Sequence, residues 1–287
     1  MNTDTPIQLV ECPRDAMQGW PHFIATGTKV KYLNALLRVG FHTLDFGSFV
    51  SPKAIPQMAD TREVLGQLDT TGSKTRLLAI VANVRGAEDA VSYEAIRYLG
   101  FPFSVSPTFQ LRNTNSTPEA SLSTVAAIQE QCVKKGKEAV IYISMGFGNP
   151  YGDDYNTDIV LHWIDRITAL GIRIISLADT VGLARPEQVS DLLKAVISRY
   201  PDIQTGVHLH SAPHTLREKA LAALDAGCRR FDGAIGGIGG CPMAGDDLVG
   251  NMDTLQLVEL FEQRGVSPAL DREALQHCQH LASAIFV

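Results

Sequence analysis

No stretch of the chain reaches about 18 uninterrupted apolar residues, so no segment has the length to cross a bilayer as a helix. There is no excess of basic charge either. The net charge is −6, which argues against a nucleic-acid-binding surface and for ordinary solubility. Paired cysteines are also missing: the five thiols (Cys12, Cys132, Cys228, Cys241 and Cys278) are odd in number and form no CxxC, so no disulfide framework is expected and a reducing compartment fits best. The opening MNTDTPIQLVECPRD has no basic residue before Arg14 and lacks the apolar run of a secretory leader, so a cytoplasmic location is expected. Linkers, low-complexity tracts and charge runs are absent too, and the 287 residues are expected to form one catalytic domain.

What the chain does have is alternation. Eight short apolar, β-branched runs follow one another: IQLVEC from Ile7, TLDFGSF from Thr43, RLLAIVA from Arg76, FPFSVS from Phe101, AVIYIS from Ala139, IRIISLAD from Ile172, TGVHLH from Thr205 and FDGAIGG from Phe231. Runs of this kind suit parallel strands covered on both faces. Segments with apolar residues at three- and four-residue spacing separate them, among them KVKYLNALLRVG, AIPQMADTREVLGQL, PEASLSTVAAIQEQCVKKG and TDIVLHWIDRITALG. Gly40, Gly100, Gly136, Gly171 and Gly227 are read as helix stops. Eight such units predict an α/β fold, a (β/α)8 TIM barrel over about 7–264, with an additional C-terminal helix over about 270–285.

In this fold the active site gathers at the C-terminal ends of the strands. Strand one ends in Arg14 and Asp15, strand two carries Asp45, strand six ends in Asp179 and Thr180, and strand seven ends in His208 and His210. Two histidines two residues apart on a strand point to one face, which makes them a candidate metal pair or, more blandly, two hydrogen-bonded histidines. Asp15 is an oxygen ligand or a helix cap. Arg14 is a planar charge for an anionic intermediate or half of an ion pair. Cys241 stands among glycines and Pro242, poor core material, where a thiol can act as nucleophile or proton donor. Asn251 is either the N-cap of MDTLQLVELFEQRG or an amide-oxygen ligand. Two histidines, an Asp and an Asn offer mixed N/O donors, suited to Mg²⁺ or Mn²⁺, with Zn²⁺ also within their range.

CPRDAMQ, GSFVSPKAIPQMAD, SLADTVG, HLH and GGIGGCPMAGDDLVGN, in this order and each at a strand end, resemble the 3-hydroxy-3-methylglutaryl-CoA lyase family, over about Ile7 to Phe261. The resemblance implies a retro-Claisen cleavage of a branched 3-hydroxyacyl-CoA to acetyl-CoA and a ketoacid. It implies metal ligation by Asp15, His208, His210 and Asn251, with catalytic roles for Arg14, Asp45, Asp179 and Cys241. It further implies a homodimer. Lys53 and Arg112, in the loops after strands two and four, are candidates for holding the CoA phosphates. A Claisen-type synthase of the citramalate or isopropylmalate kind is the alternative, opposed by the thiol in GGCP. The chain also departs from the family. Ser211-Ala212-Pro213-His214 follows HLH in place of Asp-Thr-Tyr-Gly, Asp45 replaces a Glu, Leu255 stands where an acid is usual, and AMQGWPH lacks a lysine. The departures bear on substrate identity more than on reaction class.

Overall fold

A computed structural model describes residues 6–240 and 249–287. Its first half runs β1 (Gln8–Glu11), α1 (Pro13–Gln18), α2 (Thr26–Val39), β2 (Thr43–Ser48), α3 (Thr61–Leu65), β3 (Arg76–Ile80), α4 (Val84–Val91), β4 (Ile96–Ser104), α5 (Pro107–Thr114) and α6 (Pro118–Lys134). The second half runs β5 (Glu138–Ser144), α7 (Thr157–Ala169), β6 (Ile174–Asp179), α8 (Pro186–Arg199), β7 (Gln204–Leu209), α9 (Pro213–Asp225), β8 (Arg230–Gly233), α10 (Thr254–Gln263) and α11 (Arg272–Ile285). The eight strands pair in chain order, all parallel, and β8 returns to β1 with Val10 opposite Asp232 to close the barrel.

Apolar side chains on both faces drive this arrangement. A small cluster of Leu78, Tyr98, Val140, Tyr142 and Ile174 forms around the strands, and a much larger one, including Leu9, Leu44, Phe101 and Ile175, packs strands against helices. Each fully buried Leu, Ile or Phe stabilises the fold by about 1.5–3 kcal/mol before entropy is counted. Gly40 (φ 89°) and Gly171 (φ 88°) take the left-handed conformation just after α2 and α7, as the stop signals predicted.

Several expectations need correction. Gly100 is no helix stop: it lies within β4, which starts at Ile96 and not at Phe101. A Cβ there would meet Ile80 at 2.5 Å and Tyr142 at 3.0 Å, so glycine makes room for inward packing. AIPQMADTREVLGQL is not one helix but a 3-10 turn (Pro56–Met58) followed by the short α3. CPRD, read as a strand end, starts α1 with Pro13 in its first turn, where a missing N–H costs nothing.

Candidate active site

Three carboxylate and imidazole groups converge at the C-terminal mouth of the barrel. Asp15 comes from α1, immediately after β1, while His208 lies on β7 and His210 directly follows its last residue; their ligand atoms lie within 4.8 Å of one another and all three residues are buried. The imidazole rings stand 5.1 Å apart between centroids at 82°, edge to face.

Each group is held by its neighbours. His208 Nδ1 lies 3.2 Å from Asp232 Oδ2, and Arg230 donates to the other oxygen of Asp232 at 2.9 Å. With Nδ1 engaged, Nε2 is left for a ligand, the usual carboxylate–histidine arrangement of metal sites. Tyr142 meets the His208 ring edge-on at 5.6 Å. Burial disfavours protonation of His208, but Asp232 and Asp15 outweigh it and hold its pKa above the ordinary value. His210 moves the other way, down to about 4, because burial is reinforced by neighbouring His208. Among the described residues its Nδ1 is buried without a hydrogen-bond partner. Asp15 is held well below the usual carboxylate range: burial opposes ionisation, and Arg14 followed by the two histidines overcomes it.

Arg14 occupies the neighbouring position. It donates from Nε and Nη2 to Asp45 at 3.1 and 2.6 Å, and from Nη1 to Asp15 at 3.1 Å and to Gln18 at 2.8 Å. Gln18 in turn donates to Asp15 at 2.8 Å. The fork is thus fixed before any substrate arrives. Asn251 is not the cap of α10; Asp253 is, accepting from Leu255 N. Asn251 stands beside the cluster and donates its amide to Asp15 Oδ2 at 2.7 Å and to Ile238 O at 2.8 Å. Gly239 (φ +112°) runs close to both: a Cβ there would press on Asn251 and on Asp15.

A cavity of about 510 Å³ opens over this cluster. Its walls include Arg14, Asp15, His208, His210, Thr180 and Arg112. Arg112 lies with its guanidinium 4.5 Å from the Tyr151 ring centroid. Lys53 is exposed and is not among the wall residues, although Ser51 and Ala54 on either side of it are. Asp179 is buried behind the wall, accepting from Lys219 at 2.9 Å and from Ala184 N at 3.0 Å. Cys241 lies outside the described residues. Sequence reasoning passed over Gln18, Asp232 and Lys219. Gln18 was within reach, since it follows Asp15 and Arg14 at the three- and four-residue spacing of a helix.

The donor set fits a divalent cation. One carboxylate and two imidazoles offer mixed O/N donors, and the burial cost of His210, whose Nδ1 has no hydrogen-bond partner among the described residues, is not offset by its neighbours. The second grouping, Cys12, His208 and Asp232, shares His208, and its Asp232 is already committed to Arg230 and to the His208 ring.

The HMGL-like family model matches residues 7–282. The chain belongs to the HMGL-like family. It is 34% identical to hydroxymethylglutaryl-CoA lyase YngG of Bacillus subtilis (strain 168), over 92% of this chain and 87% of that one. It is 33% identical to the (R)-citramalyl-CoA lyase of Chloroflexus aurantiacus, over 92% and 85%. Among solved structures, an HMG-CoA lyase from Acenitobacter baumannii, in complex with coenzyme A and 3-methylmalate, superposes with a TM-score of 0.90 at 32% identity, covering 98% of this chain and 91% of that one. The HMGL-like assignment makes this chain a carbon–carbon lyase, and these relatives support that reading and not the synthase alternative.

Proposed function

We propose that the chain is a divalent-metal-dependent retro-Claisen lyase that cleaves 3-hydroxy-3-methylglutaryl-CoA to acetyl-CoA and acetoacetate. The observation that carries this reading is the buried Asp15–His208–His210 cluster beside a pre-oriented Arg14 on the floor of one cavity. Asp15, His208 and His210 would hold Mg²⁺ or Mn²⁺ (Zn²⁺ is a weaker fit), with Asn251 adjoining. Such a cation would acidify the substrate's tertiary hydroxyl and orient it.

The chain's own residues supply the rest. As the C3 hydroxyl becomes the carbonyl of the ketoacid, its proton passes to water in the cavity. Cleavage of the C2–C3 bond leaves its electron pair on the thioester as an enolate, and Arg14, clamped by Asp45, offers fixed positive charge to that oxygen. Cys241 delivers the proton that turns the enolate into acetyl-CoA and regains one from water, so no net proton is consumed. Asp179 supports the end of β6 next to Thr180. Arg112 is the stronger candidate for a CoA phosphate because it reaches the cavity wall, and Lys53 is the weaker one. A homodimer, one catalytic domain over the whole chain and a cytoplasmic location belong to the same reading. Among the described residues no helix is long and apolar enough to cross a membrane.

A second substrate has a specific warrant. The Chloroflexus relative is named for citramalyl-CoA, and the departure at Ser211–His214 follows His210 directly in the chain. The test is direct. Purified protein with Mn²⁺ is given each thioester in turn, with an EDTA control, and acetyl-CoA and the ketoacid are followed. Metal-dependent release from 3-hydroxy-3-methylglutaryl-CoA at the higher kcat/KM supports the first substrate, a higher value for citramalyl-CoA replaces it, and no release from either refutes the lyase.

A further inference from the structure

We infer that Lys219 is a positioning residue for the metal cluster, acting through the backbone of His210 and of the segment that carries Asn251. This inference rests on the metal-site reading above.

Lys219 lies on α9, is 3% exposed, and sends its ammonium under the ends of β6 and β7. It donates to three acceptors on three segments: Asp179 Oδ2 at 2.9 Å, His210 O at 3.1 Å and Gly182 O at 3.2 Å. An ammonium has three N–H groups, so each one is used and none is left for solvent. Two of the acceptors are backbone carbonyls, and one of these belongs to a candidate ligand.

The two carbonyls lead to the other side of the cluster. Gly182 (φ +72°) lies against Val249, whose side chain a Cβ on Gly182 would meet at 2.9 Å. Gly250 O accepts from Ser211 N at 2.9 Å, and Asn251 forms an antiparallel bridge with His210. Asn251 then reaches Asp15. A single buried charge therefore sets the height of His210 directly, and that of Asn251 through the loop against which residues 249–251 pack. Ligand placement errors of a fraction of an ångström weaken metal sites, and supporting hydrogen bonds of this kind are worth about 10–100-fold in affinity.

The experiment measures Mn²⁺ binding by calorimetry on EDTA-stripped protein, together with its melting temperature. It uses the parent, Lys219→Met, and the charge-balanced double variant Lys219→Met/Asp179→Asn, which leaves no stranded buried carboxylate. Both variants are expected to bind Mn²⁺ about tenfold or more weakly, and the double variant to melt within a few degrees of the parent. Parental affinity in either variant would overturn the inference; in the double variant it would reduce Lys219 to a counter-charge for Asp179. Loss of the folded state in both would also overturn it, making Lys219 a core residue with no separate role at the site. A parent that binds no Mn²⁺ would refute the metal reading itself, a distinguishable result.

Discussion

The barrel has a cavity at each end, the two are of similar size, and size does not mark the site. At the N-terminal end of the strands a space of about 620 Å³ is lined by Gln8, Gln204, Thr205, Arg229 and Arg230, among others, against about 510 Å³ at the C-terminal end. Among the described residues both ends hold buried polar atoms without partners, Thr205 Oγ1 and Arg229 Nε at one and Ser48 Oγ and His210 Nδ1 at the other. The difference lies in convergence. At the C-terminal end a carboxylate, two imidazoles and a clamped guanidinium approach one another, whereas at the N-terminal end Arg230 is turned inward to Asp232 and the remaining wall residues share no focus. Volume makes room for a ligand, but converging groups of complementary charge supply the chemistry.

The sharpest break in this comparison is His208→Ala. Turnover should fall by about a thousandfold or more and bound Mn²⁺ should be lost, while the circular dichroism spectrum stays parental. Arg14→Lys keeps the charge and loses the fork. Here kcat should fall by about a hundredfold with Mn²⁺ affinity within a few-fold of parental, separating anion stabilisation from metal binding.

A smaller effect is expected at Glu11, which is fully buried at the end of β1 and accepts from Ile235 N at 2.9 Å and from Thr254 Oγ1 at 2.5 Å. Burial pushes its carboxyl up from 4.5 to about 8. Over that window the folded protein retains a proton that the unfolded chain has released. Its contribution to stability is therefore complete below pH 4.5 and is lost as the pH rises through 8. Glu11→Gln should melt several degrees above the parent at about pH 8, with the gain vanishing toward acid pH, in paired thermal scans. Thr205→Val at the opposite mouth is the smallest change. It removes a partnerless hydroxyl, so stability should stay level or rise by about 1 kcal/mol with kcat unchanged; a loss of turnover would give the second cavity a function.

The barrel was legible in the sequence because each strand is a short, dense apolar run. The start of β4 was hidden because Arg97 and Gly100 interrupt its run, and α4 and α5 because eight residues each give too few turns for a periodic signal. Asp15, His208 and His210 could be found from local order alone, since strand parity and the strand-end rule need only neighbouring residues. The residues that support them could not. Lys219 meets Asp179 across 40 positions and His208 meets Asp232 across 24, and no short pattern announces either pair. Lys219 also sits in a segment, TLREKALAALDAG, whose spacing reads simply as a helix with one polar face.

The most direct test of the account is a Mn²⁺ titration into EDTA-stripped protein, with metal occupancy and acetyl-CoA release from 3-hydroxy-3-methylglutaryl-CoA measured on the same samples. The account predicts no release from the stripped protein and a rate that climbs in step with occupancy to saturate at one ion per chain. Full turnover by stripped protein, or occupancy that saturates without any release from this or a related 3-hydroxyacyl-CoA, would contradict it.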